Sequence, residues 1–117
     1  MGFELIKYRG RGRGRIGADL SRTRGHNRVR VSNSVLELIG DPARVLVSYD
    51  GEARRLRIEN GDGLDESFPL AAVGAASKGF SATVLLRKAG LWDHSVALSN
   101  TAPAGAEFLE FQLPDVE

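Results

Sequence analysis

Hydrophobic and polar positions alternate most regularly between residues 28 and 60, RVRVSNSVLELIGDPARVLVSYDGEARRLRIEN. Val29 and Val31 alternate with Arg28 and Arg30, the period-two pattern of a half-buried strand with a basic outer face. Ser32, Asn33 and Ser34 can each accept a hydrogen bond from a free N–H at a helix start, and Ser34 with Glu37 has capping-box spacing. Val35, Leu36 and Ile39 then form the apolar stripe of a helix of about two turns, which is too short to persist in water without packing. Gly40 supplies a left-handed residue to end it, and Pro42 prevents its continuation. A hairpin is expected next. Val45, Val47 and Tyr49 alternate, Asp50-Gly51 is a turn pair, and Leu56 and Ile58 alternate with Arg55 and Arg57 on the return.

Upstream, Ile16, Ala18 and Leu20 alternate and lead through an Arg24-Gly25-His26-Asn27 turn into Arg28. Downstream of the polar segment GDGLDES at 61–67, the pattern recurs weakly. Phe68, Leu70 and the small residues to Ala76 read as a strand. Ser81 opens a helix over 82–90, with Val84, Leu85 and Ala89 inward and Gly90 as terminator. His94, Val96 and Leu98 alternate, 103–105 turns, and Leu109, Phe111 and Leu113 alternate back. The chain thus divides into an arm (1–14), a strand–helix–hairpin unit (15–60), a linker (61–67) and a second such unit (68–117). One unit cannot bury its own apolar face, and a tandem copy supplies the missing cover within one chain. Asp62, Asp65 and Glu66 lack the spacing of a calcium loop, so the linker is expected to be an ordinary solvated one.

Over residues 15–60, the positions of Arg28, Val29, Val31, Ser32, Val35, Ile39 and Gly40 resemble the AbrB-like (SpoVT/MazE-type) swapped-hairpin family of bacterial transition-state regulators and antitoxins. Ser32 stands where that family usually has proline. The resemblance implies a swapped-hairpin fold for 15–60, and with the recurring pattern after it the expected architecture is mainly β with two short helices, a tandem swapped-hairpin (AbrB-like) β-barrel pseudo-dimer. It also implies a non-enzymatic double-stranded DNA-binding protein that regulates transcription. Arg28 sits where family members place a DNA-contacting arginine, and Arg22 and Arg24 lie in the preceding region where basic residues are usual. The arginines that some members carry on the short helix are replaced here by Leu36 and Glu37. The two-unit layout with an Arg-Gly start also resembles uncharacterised bacterial and phage proteins, which bring no function with them.

Charge sharpens this picture. Residues 1–30 carry nine Lys and Arg against Glu4 and Asp19, a balance of +7, so the rest of the chain sums to −6 within a formal total of +1. Against the plainer reading of a solubilising tail, such asymmetry points to a polyanion partner, or else to an acidic protein surface, for the first segment. Within it, RGRGRGRIG at 9–17 is a dense cationic arm of the kind that enters a minor groove or tracks a phosphate backbone. Arg9, Arg11, Arg13, Arg15, Arg22, Arg24, Arg28 and Arg30 are the expected nucleic-acid contacts. Gly12, Gly14 and Gly17 match a dinucleotide-loop spacing, but the residues that follow read as a strand, not a helix. Phe3, Leu5 and Ile6 suffice for a short edge strand.

The second unit is acidic, with Lys78, Arg87 and Lys88 against Asp62, Asp65, Glu66, Asp93, Glu107, Glu110, Asp115 and Glu117, and is expected to act as scaffold or as a surface for another protein. An antitoxin-like or phage-encoded inhibitor of a host protein is therefore the alternative reading, and RNA binding through the arm a further one. The 117 residues make one domain or two very small ones, without cysteine, a signal-like apolar run or a membrane-length segment, so a cytoplasmic protein is expected, as a monomeric pseudo-dimer or a homodimer. No cofactor or metal is expected. His26 and His94 have no ligand-spaced partners, and no serine lies in a nucleophile elbow. Trp92 reads as a core or seam residue, and Tyr8 beside the arm as the better stacking candidate.

Overall fold

The computed structural model describes residues 18–115; the expected arm with Arg9, Arg11, Arg13 and Arg15, together with Tyr8 and Ile16, lies outside the described residues. In the first half, β1 (Leu20–Arg22) and β2 (Arg28–Ser32) bury Leu20, Val29 and Val31 on one face and leave Arg28 and Arg30 exposed. The helix is shorter than its apolar stripe implies: α1 (Asn33–Leu36) is one turn that tightens into a 3₁₀ turn at Glu37–Ile39 before Gly40 takes φ 93°. The capping box does not form. Ser32 is the N-cap without a side-chain capping bond, and its Oγ meets Ser34 Oγ at 2.8 Å. Because the helix leaves directly from a paired strand, the Asn33 N–H instead finds the carbonyl of Ala76 at 2.8 Å.

β3 (Arg44–Asp50) and β4 (Arg55–Asn60) pair from Val45↔Asn60 to Asp50↔Arg55. Their turn is wider than an Asp50-Gly51 pair. Asp50 Oδ1 accepts the N–H groups of Glu52 (3.0 Å) and Ala53 (3.2 Å), and Arg54, not Gly51, takes the left-handed conformation at φ 53°. The 61–67 segment is also more than a solvated linker. Asp62 Oδ1 accepts the N–H groups of Ala43 and Arg44 at 2.9 Å, and Ser67 is buried beneath the Arg44 guanidinium, which donates to its Oγ and carbonyl at 2.7 Å.

In the second half, two short strands, β5 (Phe68–Pro69) and β6 (Ala71–Ala72), replace the expected single strand, and β7 (Ser77–Ser81) follows. Helix α2 (Thr83–Lys88) buries Leu86 and, with its flanks, Ala82 and Ala89, a spacing of four and three. Val84, expected inward, is 68% exposed. β8 (Val96–Leu98) and β9 (Phe108–Gln112) complete the chain, with Leu109, Phe111 and Leu113 buried as their alternation requires.

These strands form two antiparallel sheets among the described residues, ordered β6-β7-β2-β1-β8 and β5-β3-β4-β9. They remain open, in contrast to the closed barrel expected. β5 and β6 make a corner where the chain passes between sheets, but among the described residues β8 and β9 pair with β1 and β4 and not with each other, so no strand pairing closes the opposite side, where a single backbone bond runs from Thr101 N–H to Glu110 O. The halves interlock: β7, β8 and β9 each pair with a strand of the first half. A single apolar cluster joins Leu20, Val31 and Phe80 of one sheet, Val45, Ile58 and Phe111 of the other, and Leu36 and Leu86 of the helices. No helix among the described residues is long and apolar enough to cross a membrane.

Candidate nucleic-acid interface

The outer face of the five-stranded sheet follows from its register. Arg30 lies opposite Gly79 on one side and Ser21 on the other, and these in turn lie opposite Ala71 and Ala97. One long side chain therefore stands in a row of four small ones. The neighbouring Ser32↔Ser77 pair repeats the pattern. A groove results, lined by Arg30 and by Ser21, Ser32, Ser34, Ser77 and Ala97 among others, with no aromatic side chain among the described residues of its lining. Gly79 has a specific role. A Cβ there would stand 2.8 Å from Arg28 Cδ, 2.9 Å from Cγ and 3.0 Å from the Val29 carbonyl, so only glycine lets the Arg28 stem lie across this strand.

The expected contacts divide into two classes. Arg28, Arg30 and Arg24 are exposed, and none is in an ion pair among the described residues. Arg30 spends only long contacts, its Nη2 lying 3.4 Å from Val73 O and Ser77 Oγ. Arg24 stands on the β1–β2 turn, its backbone N–H donating to Ser95 Oγ at 2.8 Å. Arg22, however, does not reach the surface. Being two residues after Leu20, it points to the core side of the sheet, and it is 2% exposed. Its Nε and Nη2 donate to His26 O (3.2 and 2.9 Å), and its Nη1 to Leu91 O and His94 O (both 2.6 Å). It is withdrawn from the expected phosphate contacts.

The other sheet provides the contrast. On its outer face Arg57 meets Glu110 at 3.1 Å and lies over the Phe108 ring at 4.0 Å, while Arg55 Nε approaches Gln112 Oε1 at 3.4 Å. Arg54 is engaged by Pro114 O, Ala89 O and the Tyr49 hydroxyl, with Asp115 at 3.7 Å. Cations there are matched by local acceptors. In the groove, the carboxylate of Asp19 is spent on the Asn100 N–H at 2.8 Å. His26 and His94 are exposed, and among the described residues no group of three or more His, Cys, Asp or Glu could hold a metal. Trp92 is half-buried, with the guanidinium groups of Arg87 and Arg22 at 4.5 and 5.7 Å from its ring centroid.

Strand parity could have located Arg22, whereas the groove serines and Gly79 carry no signal until β7 is recognised as a neighbour of β2. Compared with family models, curated proteins and solved structures, the chain matches none.

Proposed function

We propose that this is a non-enzymatic protein that binds double-stranded DNA through phosphates, using Arg24, Arg28 and Arg30 on the outer sheet face together with Arg9, Arg11, Arg13 and Arg15 of the arm, and that it serves in transcription regulation. The observation that carries the reading is a small-residue sheet face whose arginines have no carboxylate partner among the described residues. Ala18, three residues after Arg15 in the sequence, lines that same groove. Arm and face carry the same sign of charge, so one polyanion suits both. The described residues of the face include no aromatic stacking platform for unpaired bases, whereas arginines and hydroxyls suit a duplex backbone.

We further infer that the two halves form a tandem swapped-hairpin pseudo-dimer. In support, β7 begins 49 residues after β2 and pairs with it about a local two-fold: Asn33 N–H donates to Ala76 O and Ala82 N–H to Asn27 O, both at 2.8 Å.

The test is fluorescence-anisotropy binding to random duplex, single strand and RNA across a salt series. Replacing Arg24, Arg28 and Arg30 by alanine is expected to flatten the log–log salt slope by roughly 0.9 per lost phosphate contact. Absence of duplex binding by the native chain at low salt would overturn the reading, and the acidic half would then be tested for a protein partner.

A further inference from the structure

Among the described residues, the β1–β2 turn is anchored by hydrogen bonds alone. Residues 23–28 are all exposed, so no apolar side chain holds this segment in place. Within it runs one backbone bond, His26 N–H to Thr23 O at 3.1 Å. At its end Asn27 O accepts the Ala82 N–H at 2.8 Å, where β2 begins to pair with β7, and the rest of the turn is tied to the body from elsewhere. The buried guanidinium of Arg22 joins His26 O to Leu91 O and His94 O on the loop between α2 and β8, using four donor contacts on three carbonyls. Ser95 Oγ, on that same loop, accepts the Arg24 N–H at 2.8 Å.

We propose that Arg22 and Ser95 are positioning residues for the DNA-binding face: the second half of the chain, through its 91–95 loop, fixes the turn that displays Arg24 and leads into Arg28. This rests on the duplex-binding reading given above. A planar guanidinium with five fixed donors can bridge carbonyls from two loops; a lysine ammonium, a single point of charge on a flexible stem, cannot span the same three. An apolar residue would fill the volume without choosing where the turn sits. Holding the turn before the ligand arrives removes an ordering cost from binding.

The experiment compares Ser95→Ala, Ser95→Thr, Arg22→Met and Arg22→Lys with the native chain. It reads amide exchange in the free protein and duplex affinity across the salt series. Ser95→Ala should speed exchange of the Arg24 and His26 amides and weaken duplex binding roughly three- to tenfold, because the turn must then be ordered when the duplex binds; the Arg24 contact is then made in only part of the complexes, so the salt slope flattens by up to about 0.9. Ser95→Thr retains the oxygen and should restore all three. Arg22→Met should give the larger effect, with Arg22→Lys close to it. A residue that merely stabilised the fold would lower melting temperature without moving the salt slope. Faster exchange with unchanged affinity and slope would overturn the positioning role while leaving duplex binding intact; a native chain that binds no duplex overturns both.

Discussion

Arginine has two distinct uses in this chain, and only geometry separates them. Arg22, Arg44 and Arg54 turn their donors onto backbone carbonyls, at His26, Leu91 and His94, at Ser67, and at Ala89 and Pro114. Arg24, Arg28 and Arg30 remain at the surface. A count of basic residues cannot tell these uses apart, but period two can: Leu20 is core, so Arg22 must share its face. Gly79 tests the second class. Gly79→Ala would bring a methyl group within 3 Å of the Arg28 stem and should displace that side chain from the sheet. The expected result is weaker duplex binding with a salt slope reduced by about 0.9, one phosphate contact. Unchanged binding in anisotropy measurements would show that Arg28 acts from some other position or not at all.

Both helices end by the same device. Gly40 at φ 93° and Gly90 at φ 72° follow helices whose last carbonyls are satisfied in parallel fashion: Gly40 N–H to Glu37 O and Asp41 N–H to Leu36 O, then Gly90 N–H to Arg87 O and Leu91 N–H to Leu86 O. A Cβ at residue 40 would also lie 3.2 Å from Asn60 Nδ2, the group that donates to Ile39 O at 3.0 Å. Gly40→Ala should therefore destabilise the fold by about 1–2 kcal/mol, the cost of placing a side chain in the left-handed region. Gly51→Ala, where φ is not positive and the nearest atom is a Tyr49 ring carbon at 3.6 Å, should be close to neutral in the same denaturation experiment. These terminators were legible in the sequence, as were β2, β3, β4 and β9, because glycine and strict alternation each carry a direct steric meaning. β7 was not legible: Gly79 interrupts its alternation and Lys78 stands where an apolar residue would mark the inner face. The α2 stripe was misphased because Val84, Leu85 and Leu86 are consecutive apolar residues, and only packing decides that Leu86 is the buried one.

At the scale of the whole molecule, the halves depend on each other for sheet partners. Between them, β1, β2 and β4 pair with β8, β7 and β9 of the second half. A chain ending near residue 64 would leave Val29, Val31, Leu56 and Ile58 without the facing Phe80, Leu109 and Phe111, and would expose unpaired edges on both sheets. Such a fragment is not expected to fold as a monomer. Co-expressed fragments 1–64 and 65–117 should instead recover the native circular dichroism and sediment as a 1:1 complex, since the break falls in the exposed part of the 61–67 segment and severs no strand. The Asp62 bonds to Ala43 and Arg44 lie within the first fragment and survive the cut, while the Arg44 bonds to Ser67 cross the break and help to join the fragments. A folded monomer of 1–64 in sedimentation would sink the interlocked architecture. With it would fall the pseudo-dimer, because a half that buries its own core has no need of its tandem copy.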